Sequence, residues 1–526
     1  MQITEEMIDA AARLIGLSFT QSERALMHEA LQRQLSGYRQ LRAIPIPNAV
    51  APALAFSPHA DDPLPAAPSI AAPAAPAVQP PTDLEDLPFA PVALLSRLIR
   101  SRQLSSLALT EMYLRRLKRY DPLLQCVVTL TDELALEQAR RADAELAAGH
   151  YRGPLHGVPW GAKDLFATRG IRTTWGVAPY QDRLIDEDAT VVQRLDAAGA
   201  VLIAKLSMGE LAWGDVWFGG TTKNPWNTTE GSSGSSAGSA AAAAAGLVGF
   251  ALGSETWGSI VSPSTRCGAT GLRPTFGRVS RAGAMALSWS MDKIGPICRS
   301  AEDCALVFDA IYGPDDHDRS VVDRPFQWKP AIDLSKLRIG YLQSAFEQEY
   351  EQQANDRQSL DTLRSLGAEL IPIQLPEAPT DALALILWAE AAAAFDELTR
   401  SDGDDLLVRQ GEDAWPNVFR AARLIPAVEY IQANRLRTQA FQAMAQLMET
   451  VDLYIAPSFE PTNLLLTNLT GHPAVVTPNG FTETGALSSI TFTGRLYDEA
   501  TVLAAAKAYQ DASDFHLQHP KIEDRG

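Results

Sequence analysis

Apolar residues in the first forty positions recur at helical spacing. Four of them would share one helix face: Ile8, Ala11, Ala12 and Ile15. A second helix is predicted to begin near Thr20, because Thr20 can cap its first turn and Glu23 stands at the capping-box position. The apolar side of that helix continues through Leu26, Leu31 and Leu35. Residues 1–43 are therefore predicted to form an N-terminal helical pair.

The next segment, residues 44–91, lacks this periodicity. It is rich in proline and alanine, as in PSIAAPAAPAVQPP, and such a composition favours extended chain over a packed core. Two interpretations are open, a flexible linker and an extended strap that crosses the surface of the main domain. In the second case its apolar residues would be anchors, namely Ile44, Val50, Leu54 and Phe56.

The remainder, residues 92–526, alternates between helical and strand patterns. Helices are predicted over 107–120 and 131–147. Short apolar runs predict strands at Val201–Ala204, Leu247–Leu252, Leu337–Tyr341 and Leu453–Ala456. This alternation indicates an α/β fold with helices layered around a central sheet.

Composition excludes several classes of function. Hydrophobic residues make up 46% of the 526 residues and charged residues 21%, which is typical of a globular protein with a large core. The net charge of −18 argues against nucleic acid as a ligand, because an acidic surface repels phosphate. The four cysteines form no CxxC pair and have no histidines clustered beside them, so we expect no metal and no cofactor.

The N-terminal sequence and the hydropathy of the chain indicate where in the cell the protein is located. The start, MQITEEMIDAAARLIGLSF, lacks the basic residues and apolar run of a signal peptide. Since no apolar stretch is long enough to span a bilayer, we expect a cytoplasmic protein without a membrane partner. A small molecule is the expected ligand, and a homodimer is left open.

Residues 231–260, GSSGSSAGSAAAAAAGLVGFALGSETWGSI, carry the strongest chemical signal. Two Gly/Ser turns are separated by an alanine-rich helix and an apolar strand, so the fold can bring the turns together. Serine supplies hydroxyls that attack or relay protons, and glycine permits close backbone approach. A flexible linker would not continue into six alanines and a buried strand, and a phosphate-binding loop would need a GxxxxGK[ST] sequence that is absent here.

A nucleophilic Ser259 needs a base. His156 and His472 both stand in turns and lack an evident aspartate partner, so a Ser-His-Asp triad is poorly supported. Lys163 stands in GVPWGAKDLF among small and apolar residues, and its burial would favour the neutral amine. A surface lysine remains the alternative from this local sequence alone.

Taken together, these motifs resemble the amidase signature family. The resemblance rests on HGVPWGAKDLF, AKLSMGELAWG, NPWN, the Gly/Ser region, CGATGLRPTFGRVS, DKIGP and NLTGHPAVVTPNGF, in that order along the chain. It implies an amide hydrolase without cofactor, with a large central mixed β-sheet flanked by helices on both faces. The N-terminal AARLIGLSFTQSERALMHEALQRQLSGYRQL resembles the small C subunit of glutamine-dependent tRNA amidotransferases.

The resemblance assigns roles to particular residues. Lys163 matches the base, Ser235 the bridging serine and Ser259 the nucleophile. Ser235 is chosen over neighbouring serines by its register to Ser259, and the family pattern implies a cis bond at Gly234–Ser235. The oxyanion would be held by backbone N–H groups of Thr256, Trp257, Gly258 and Ser259. Substrate contacts are expected at Trp213, Gly214 and Trp257.

Departures from the pattern concern the substrate. Trp257 stands where the family usually has glycine, Glu255 where it has aspartate, and Val261 where it has arginine. Trp257 is expected to point toward the cleft, whereas Trp289 is expected to fill the core. The sequence therefore predicts hydrolysis of a small neutral amide, with esters and carbamates also open. The alternative function is that of a glutamine amide-releasing subunit of an amidotransferase, and a catalytically dead scaffold is disfavoured.

Overall fold

The computed structural model describes residues 3–44 and 83–522. Its helices are α1 (Glu5–Leu14), α2 (Gln21–Ala43), α3 (Val92–Arg100), α4 (Ser106–Leu124), α5 (Asp132–Ala147), α6 (Thr190–Ala197), α7 (Ala237–Ala244), α8 (Val261–Cys267), α9 (Ala301–Ile311), α10 (Gln343–Glu347), α11 (Gln353–Ser365), α12 (Thr380–Leu383), α13 (Leu385–Ala394), α14 (Asp396–Arg400), α15 (Trp415–Ala422), α16 (Ala427–Thr450), α17 (Pro461–Thr470) and α18 (Glu499–Ser513).

The strands are shorter, and most of them join one sheet. They are β1 (Val127–Leu130), β2 (Pro159–Lys163), β3 (Val201–Leu206), β4 (Val216–Trp217), β5 (Gly220–Thr221), β6 (Lys223–Asn224), β7 (Asn227–Gly231), β8 (Phe250–Glu255), β9 (Thr270–Arg273), β10 (Lys293–Cys298), β11 (Ile339–Leu342), β12 (Leu370–Ile373), β13 (Leu453–Pro457), β14 (Ala474–Phe481) and β15 (Leu487–Gly494).

The central sheet has eleven strands in the order β1-β3-β2-β8-β10-β9-β14-β15-β13-β11-β12. Strand β2 pairs in parallel with β3 and β8, and β11 pairs in parallel with β12 and β13, whereas β10 is antiparallel to β8 and β9. Every residue of β2, β3, β10 and β13 is buried. Successive side chains of a strand point to opposite faces, so helices cover both faces of this mixed sheet. The predicted α/β architecture is confirmed.

Some predicted boundaries were wrong. The strand expected at Leu247–Leu252 begins only at Phe250. The preceding residues complete the end of α7, where the Leu247 N–H donates to the Ala242 carbonyl at 2.9 Å. The strand expected at Leu337–Tyr341 begins at Ile339, because residues 334–336 form a turn of 3₁₀ helix.

The N-terminal helices form as predicted and pack on the rest of the chain. Thr20 and Glu23 make both bonds of the capping box, with the Thr20 N–H donating to the Glu23 carboxylate at 2.6 Å. Ile8, Met27 and Leu31 share an apolar cluster with Ala421 of α15. Of the predicted linker or strap, residues 45–82, including Val50, Leu54 and Phe56, lie outside the described residues.

Candidate active site

Two neighbouring parallel strands carry the candidate residues to one edge of the sheet. Trp160 of β2 pairs with Phe250 of β8, and the register continues toward the carboxyl end of both strands. Lys163 is the last residue of β2, and the turn 256–259 follows β8. Since the carboxyl ends of parallel strands meet at the same edge, this register brings the turn beside Lys163.

The Lys163 amine is surrounded by hydroxyl groups. Its Nζ lies 2.7 Å from Ser235 Oγ, 3.1 Å from Ser236 Oγ and 2.9 Å from Ser254 Oγ. A neutral amine has two N–H donors and one lone pair, so two of these hydroxyls can accept from Nζ while the third donates to it. The arrangement therefore suits a lysine that exchanges protons with a serine.

Lys163 is fully buried, and this burial favours the neutral form of its amine. Burial lowers the pKa of Lys163 to about 7, although the carboxylates of Asp292 and Glu255 oppose this shift by stabilising the charged form. The surface position that the local sequence left open is wrong. A large part of the Lys163 population is neutral near pH 7, which a general base requires.

The Gly/Ser turn before α7 brings Ser235 close to Ser259. The Ser236 N–H donates to the Ser259 carbonyl at 3.2 Å, and the peptide bond Gly234–Ser235 is cis, as the family pattern implied. A Cβ placed on Gly234 would lie 1.7 Å from the Gly214 carbonyl oxygen. Only glycine permits this close approach of the two backbones.

A buried carboxylate fixes the turn that contains Ser259. Glu255 accepts the N–H of Ile260 at 2.8 Å and of Val261 at 2.9 Å, and it pairs with Arg273 Nη1 at 2.8 Å. Burial raises the pKa of Glu255, but Arg273 and these donors outweigh it and lower the pKa to about 2. The departure from aspartate to glutamate thus preserves a carboxylate that anchors the turn.

The backbone N–H groups just before Ile260 are available as hydrogen-bond donors. Within the described residues, no acceptor is recorded for the N–H groups of Trp257, Gly258 and Ser259, whereas those of Ile260 and Val261 bond to Glu255. Gly258 has φ of +83°, a conformation that favours glycine. Three adjacent free donors at a turn are what an oxyanion would need.

The aspartate of the DKIGP motif was not predicted to have a role in the site. Asp292 is buried, and its carboxylate accepts from the Thr256 hydroxyl at 2.5 Å and from the N–H groups of Leu287 and Ser288. Burial raises the pKa of Asp292. The signal was present in the motif, but only the structure shows that Asp292 links this loop to the turn before Ser259.

The expected substrate residues lie in an aromatic cluster. The ring centroid of Trp213 is 6.0 Å from that of Trp388 and 4.7 Å from that of Trp415, and Trp257 lies 6.3 Å from Trp388. Trp388, on α13, was not identified from the sequence. Trp289, expected in the core, is 51% exposed and lines a cavity instead, because the turn 288–291 presents it to solvent.

Two cavities flank the turn before Ser259. One, of about 230 Å³, is lined by Ala212, Ser254, Thr256 and Asp292, among others. The other, of about 570 Å³, is lined by Trp213, Trp257 and Trp388. Because Ala212 precedes Trp213 and Thr256 precedes Trp257, the two cavities lie on either side of the same pair of backbone segments.

The histidines considered as bases have other partners. His156 Nε2 lies 2.9 Å from the Ala142 carbonyl, and His472 Nδ1 lies 2.8 Å from Thr470 Oγ1. In residues 3–44 and 83–522, no group of His, Cys, Asp and Glu side chains is arranged to hold a metal ion. No helix of that part of the chain combines the length and apolar character needed to cross a membrane.

The chain is similar to known proteins along most of its length. The model of the family described as Amidase matches residues 108–466. A glutamyl-tRNA(Gln) amidotransferase subunit of Methylococcus capsulatus is 35% identical over 471 residues, which cover 80% of this chain and 96% of that protein.

Solved structures are also similar. Native peptide amidase from Stenotrophomonas maltophilia is 28% identical, with a TM-score of 0.72 over 83% of this chain and 99% of that one. One chain in the structure of a vestigial protein complex, which is linked to the evolutionary origins of an s-triazine catabolic enzyme, is 29% identical to this chain. Its TM-score is 0.74 over 82% of this chain and 100% of that one.

Proposed function

Because this chain belongs to the Amidase family, whose signature motifs it carries in order, we propose that it hydrolyses a small neutral amide through Lys163, Ser235 and Ser259. The observation that carries the proposal is the buried Lys163 Nζ, 2.7 Å from Ser235 Oγ beside the Ser259 turn. The family accounts for amide hydrolysis, and this geometry supports the particular residues.

In the first half of the reaction Ser259 Oγ attacks the amide carbonyl. Its proton passes to Ser235, which gives its own proton to neutral Lys163. The negative charge on the carbonyl oxygen is held by the free N–H groups of Trp257, Gly258 and Ser259. The C–N bond then breaks, Lys163 returns a proton through Ser235 to the leaving nitrogen, and the acyl group stays on Ser259.

In the second half water replaces the amine. Lys163 accepts a proton from the attacking water through Ser235, the acyl–Ser259 bond breaks, and the proton returns to Ser259 Oγ. The same steps serve an ester or a carbamate, since only the leaving group differs. Every proton taken up in one step is released in the next, so no cofactor enters the balance.

The aromatic cavity supports a neutral substrate. Trp213, Trp257 and Trp388 offer large apolar surfaces beside the turn that ends at Ser259, in a cavity whose lining also includes Arg33, Asp381 and Asp413. Val261 supplies no charge at the position where the family has arginine. Such a pocket favours aryl and alkyl groups over zwitterions. We therefore expect neutral aryl or alkyl amides to be preferred over glutamine and asparagine.

One observation favours glutamine as a second candidate. The Arg409 guanidinium lies 5.5 Å from the ring centroid of Trp213, and its Nη1 is 3.6 Å from where a Cβ of Gly214 would be. A cation at this position can pair with a substrate carboxylate. The identity to the glutamyl-tRNA(Gln) amidotransferase subunit is compatible with this second candidate.

The deciding experiment compares kcat/KM for a neutral anilide with kcat/KM for free glutamine, using the purified chain without partner proteins. The proposal predicts a clear preference for the anilide, and Arg409→Gln should leave that preference unchanged. A preference for glutamine that Arg409→Gln abolishes would replace the proposal with the amidotransferase function.

A further inference from the structure

A loop close to the candidate active site is held by one buried carboxylate. Glu390 of α13, which is 5% exposed, accepts from the Ser288 hydroxyl at 2.5 Å and from the Ser290 N–H at 3.1 Å through one oxygen. Its other oxygen accepts from the Ser290 hydroxyl at 2.8 Å. Because three donors of the loop 288–290 meet this single side chain, Glu390 fixes the loop against α13.

Helix α16 bonds to the same loop and to the same carboxylate. The Tyr430 hydroxyl donates to Glu390 Oε1 at 2.8 Å. Arg437, two turns further along α16, donates from Nη1 to the Ser290 hydroxyl and from Nη2 to the Ser290 carbonyl, each at 2.7 Å. Because buried polar networks whose members are bonded to one another are rigid, the two helices leave this loop little freedom to move.

The loop is connected to the turn before Ser259 through Asp292. One Asp292 oxygen accepts from the N–H groups of Leu287 and Ser288, at 2.8 Å and 3.0 Å, and the other accepts from the Thr256 hydroxyl at 2.5 Å. Thr256 directly precedes the residues whose N–H groups would hold the oxyanion. A displacement of the loop would therefore displace Asp292 and, with it, the turn.

Ser288 bonds to both carboxylates, and α13 contacts the turn a second time. The Ser288 hydroxyl donates to Glu390, and its N–H donates to Asp292. Two residues before Glu390, Trp388 has its ring centroid 6.3 Å from that of Trp257. Because side chains two positions apart do not share a helix face, Trp388 and Glu390 act on the turn from different sides of α13.

We propose that Glu390 is a positioning residue of this enzyme, which orients the oxyanion-binding N–H groups through the loop 288–290, Asp292 and Thr256. The inference rests on the proposed hydrolysis of neutral amides. Glu390 does not contact the reacting atoms in this role. It keeps the donors aimed at the oxygen on which negative charge develops, and donors that are already in place stabilise a transition state without having to reorganise.

The first variant is Glu390→Ala, assayed on the neutral anilide. Loss of the four bonds should release the loop and let the donors of the turn move, whereas binding of the uncharged substrate does not depend on them. We expect kcat to fall by about 10- to 100-fold and KM to stay within about twofold, since a misplacement of about 1 Å has effects on this scale. Ser288→Ala, which removes only one of the hydroxyls bonded to Glu390, should lower kcat less and also spare KM.

A reversible transition-state analogue separates positioning from general damage to the fold. An aryl trifluoromethyl ketone adds to Ser259: its carbonyl carbon bonds to Oγ, the hydroxyl proton passes through Ser235 to Lys163, and the ketone oxygen becomes the oxyanion. Glu390→Ala should raise Ki for this ketone by the same factor by which it lowers kcat/KM. A smaller folded fraction would lower kcat but leave Ki unchanged, because Ki does not depend on the number of active molecules.

The conservative variant Glu390→Gln should recover most of the loss. Its amide oxygen can accept from the Ser288 hydroxyl and the Ser290 N–H, and its amide nitrogen can donate to the hydroxyls of Ser290 and Tyr430. We therefore expect kcat and Ki within about threefold of the wild type.

Glu429→Ala is the matched control. Glu429 is also a glutamate that is 5% exposed, but it accepts from Arg42 of α2 and not from the loop 288–290. Its replacement should leave kcat and Ki within about twofold of the wild type, because effects at sites without shared partners are independent.

Unchanged kcat and Ki in Glu390→Ala overturn the positioning role, and so does a fall in kcat with an unchanged Ki. A loss in Glu390→Gln as large as that in Glu390→Ala overturns it too, since positioning depends on the bonds and not on the charge. If Glu390→Ala does not fold, the same comparison in Ser288→Ala decides. Failure of the wild-type protein to hydrolyse the anilide, or to bind the ketone at Ser259, overturns the proposed function as well.

Discussion

At the scale of single residues, the surroundings of Lys163 distinguish it from other buried lysines. Lys205 is also fully buried, but its Nζ lies 3.0 Å from the Asp164 carboxylate, which favours its charged form. Lys163 contacts serine hydroxyls instead. Burial lowers the pKa of Lys163, Lys205 and Lys293 alike, so the contact of Lys163 Nζ with serine hydroxyls, rather than burial alone, supports the proposed base.

The lowered pKa of Lys163 predicts the pH dependence of the reaction. Because the neutral amine is the active form and burial lowers the pKa to about 7, kcat/KM for a neutral amide should rise about tenfold per pH unit below 7 and level off above it. A pH–rate profile on the anilide measures this. A rate that stays flat through this pH range would show that another group is the base.

Replacing the three candidate residues should give a ranking. Ser259→Ala and Lys163→Ala should each lower kcat by at least about 10³-fold, because one removes the acyl acceptor and the other removes both proton transfers. Ser235→Ala should cause a partial to severe loss. Ser233→Ala is the matched control, since its recorded contact with Asp215 is through its backbone N–H, and its kcat should change little.

The opposite order, with Ser233→Ala more severe than Ser235→Ala, would mean that the bridging serine is misassigned. Steady-state kinetics on the anilide, with thermal melting to check folding, distinguishes the two orders.

The candidate residues could be found from the sequence because their motifs are local. The residues that pack around them come from distant parts of the chain. Lys163 and Ser259 stand in recognisable runs, but Asp292 and Trp388 reach the site only through tertiary packing. The position of Trp289 was predicted wrongly because a tryptophan within apolar sequence does not reveal which face of a turn it occupies.

At the scale of elements, the end of β8 depends on a buried ion pair. Glu255 bonds to two N–H groups of the turn into α8, and Arg273 of β9 neutralises it. The alanine-rich helix α7 and the strand β8 were predicted in type, but the strand begins later than expected. The hydrogen bonds that complete the end of a helix, such as that of the Leu247 N–H, depend on local backbone geometry. The hydrophobic periodicity of the sequence does not predict that geometry.

The ion pair predicts how stability changes at acid pH. The folded pKa of Glu255 is about 2, below its usual 4.5, so its contribution to the free energy of unfolding is complete above pH 4.5 and is lost as the pH falls toward 2. Urea unfolding at a series of pH values measures this. Glu255→Gln should reduce that loss and, by leaving Arg273 unpaired, should lower the free energy of unfolding by about 3–5 kcal/mol near neutral pH.

The double variant Glu255→Gln/Arg273→Met serves as the control, because it removes both charges and should recover part of the lost stability. If Glu255→Gln were as stable as the wild type at neutral pH, the pair would not hold the turn.

At the scale of the whole molecule, the N-terminal helices and the catalytic domain share contacts and a cavity. The sequence predicted the helical pair and its capping box, but their placement beside Trp213 and Trp257 depends on contacts between residues hundreds of positions apart, such as Arg42 with Glu429. The pairing order of the central sheet is likewise set by such long-range contacts.

The proposed mechanism requires that the acyl group forms on Ser259. Its most direct test is reaction of the folded protein with a fluorophosphonate, followed by peptide mapping with mass spectrometry. We expect one label, on Ser259, that forms faster as the pH rises through 7 and is absent from Ser259→Ala. Labelling of a different serine, or equal labelling of Ser259→Ala, would contradict it.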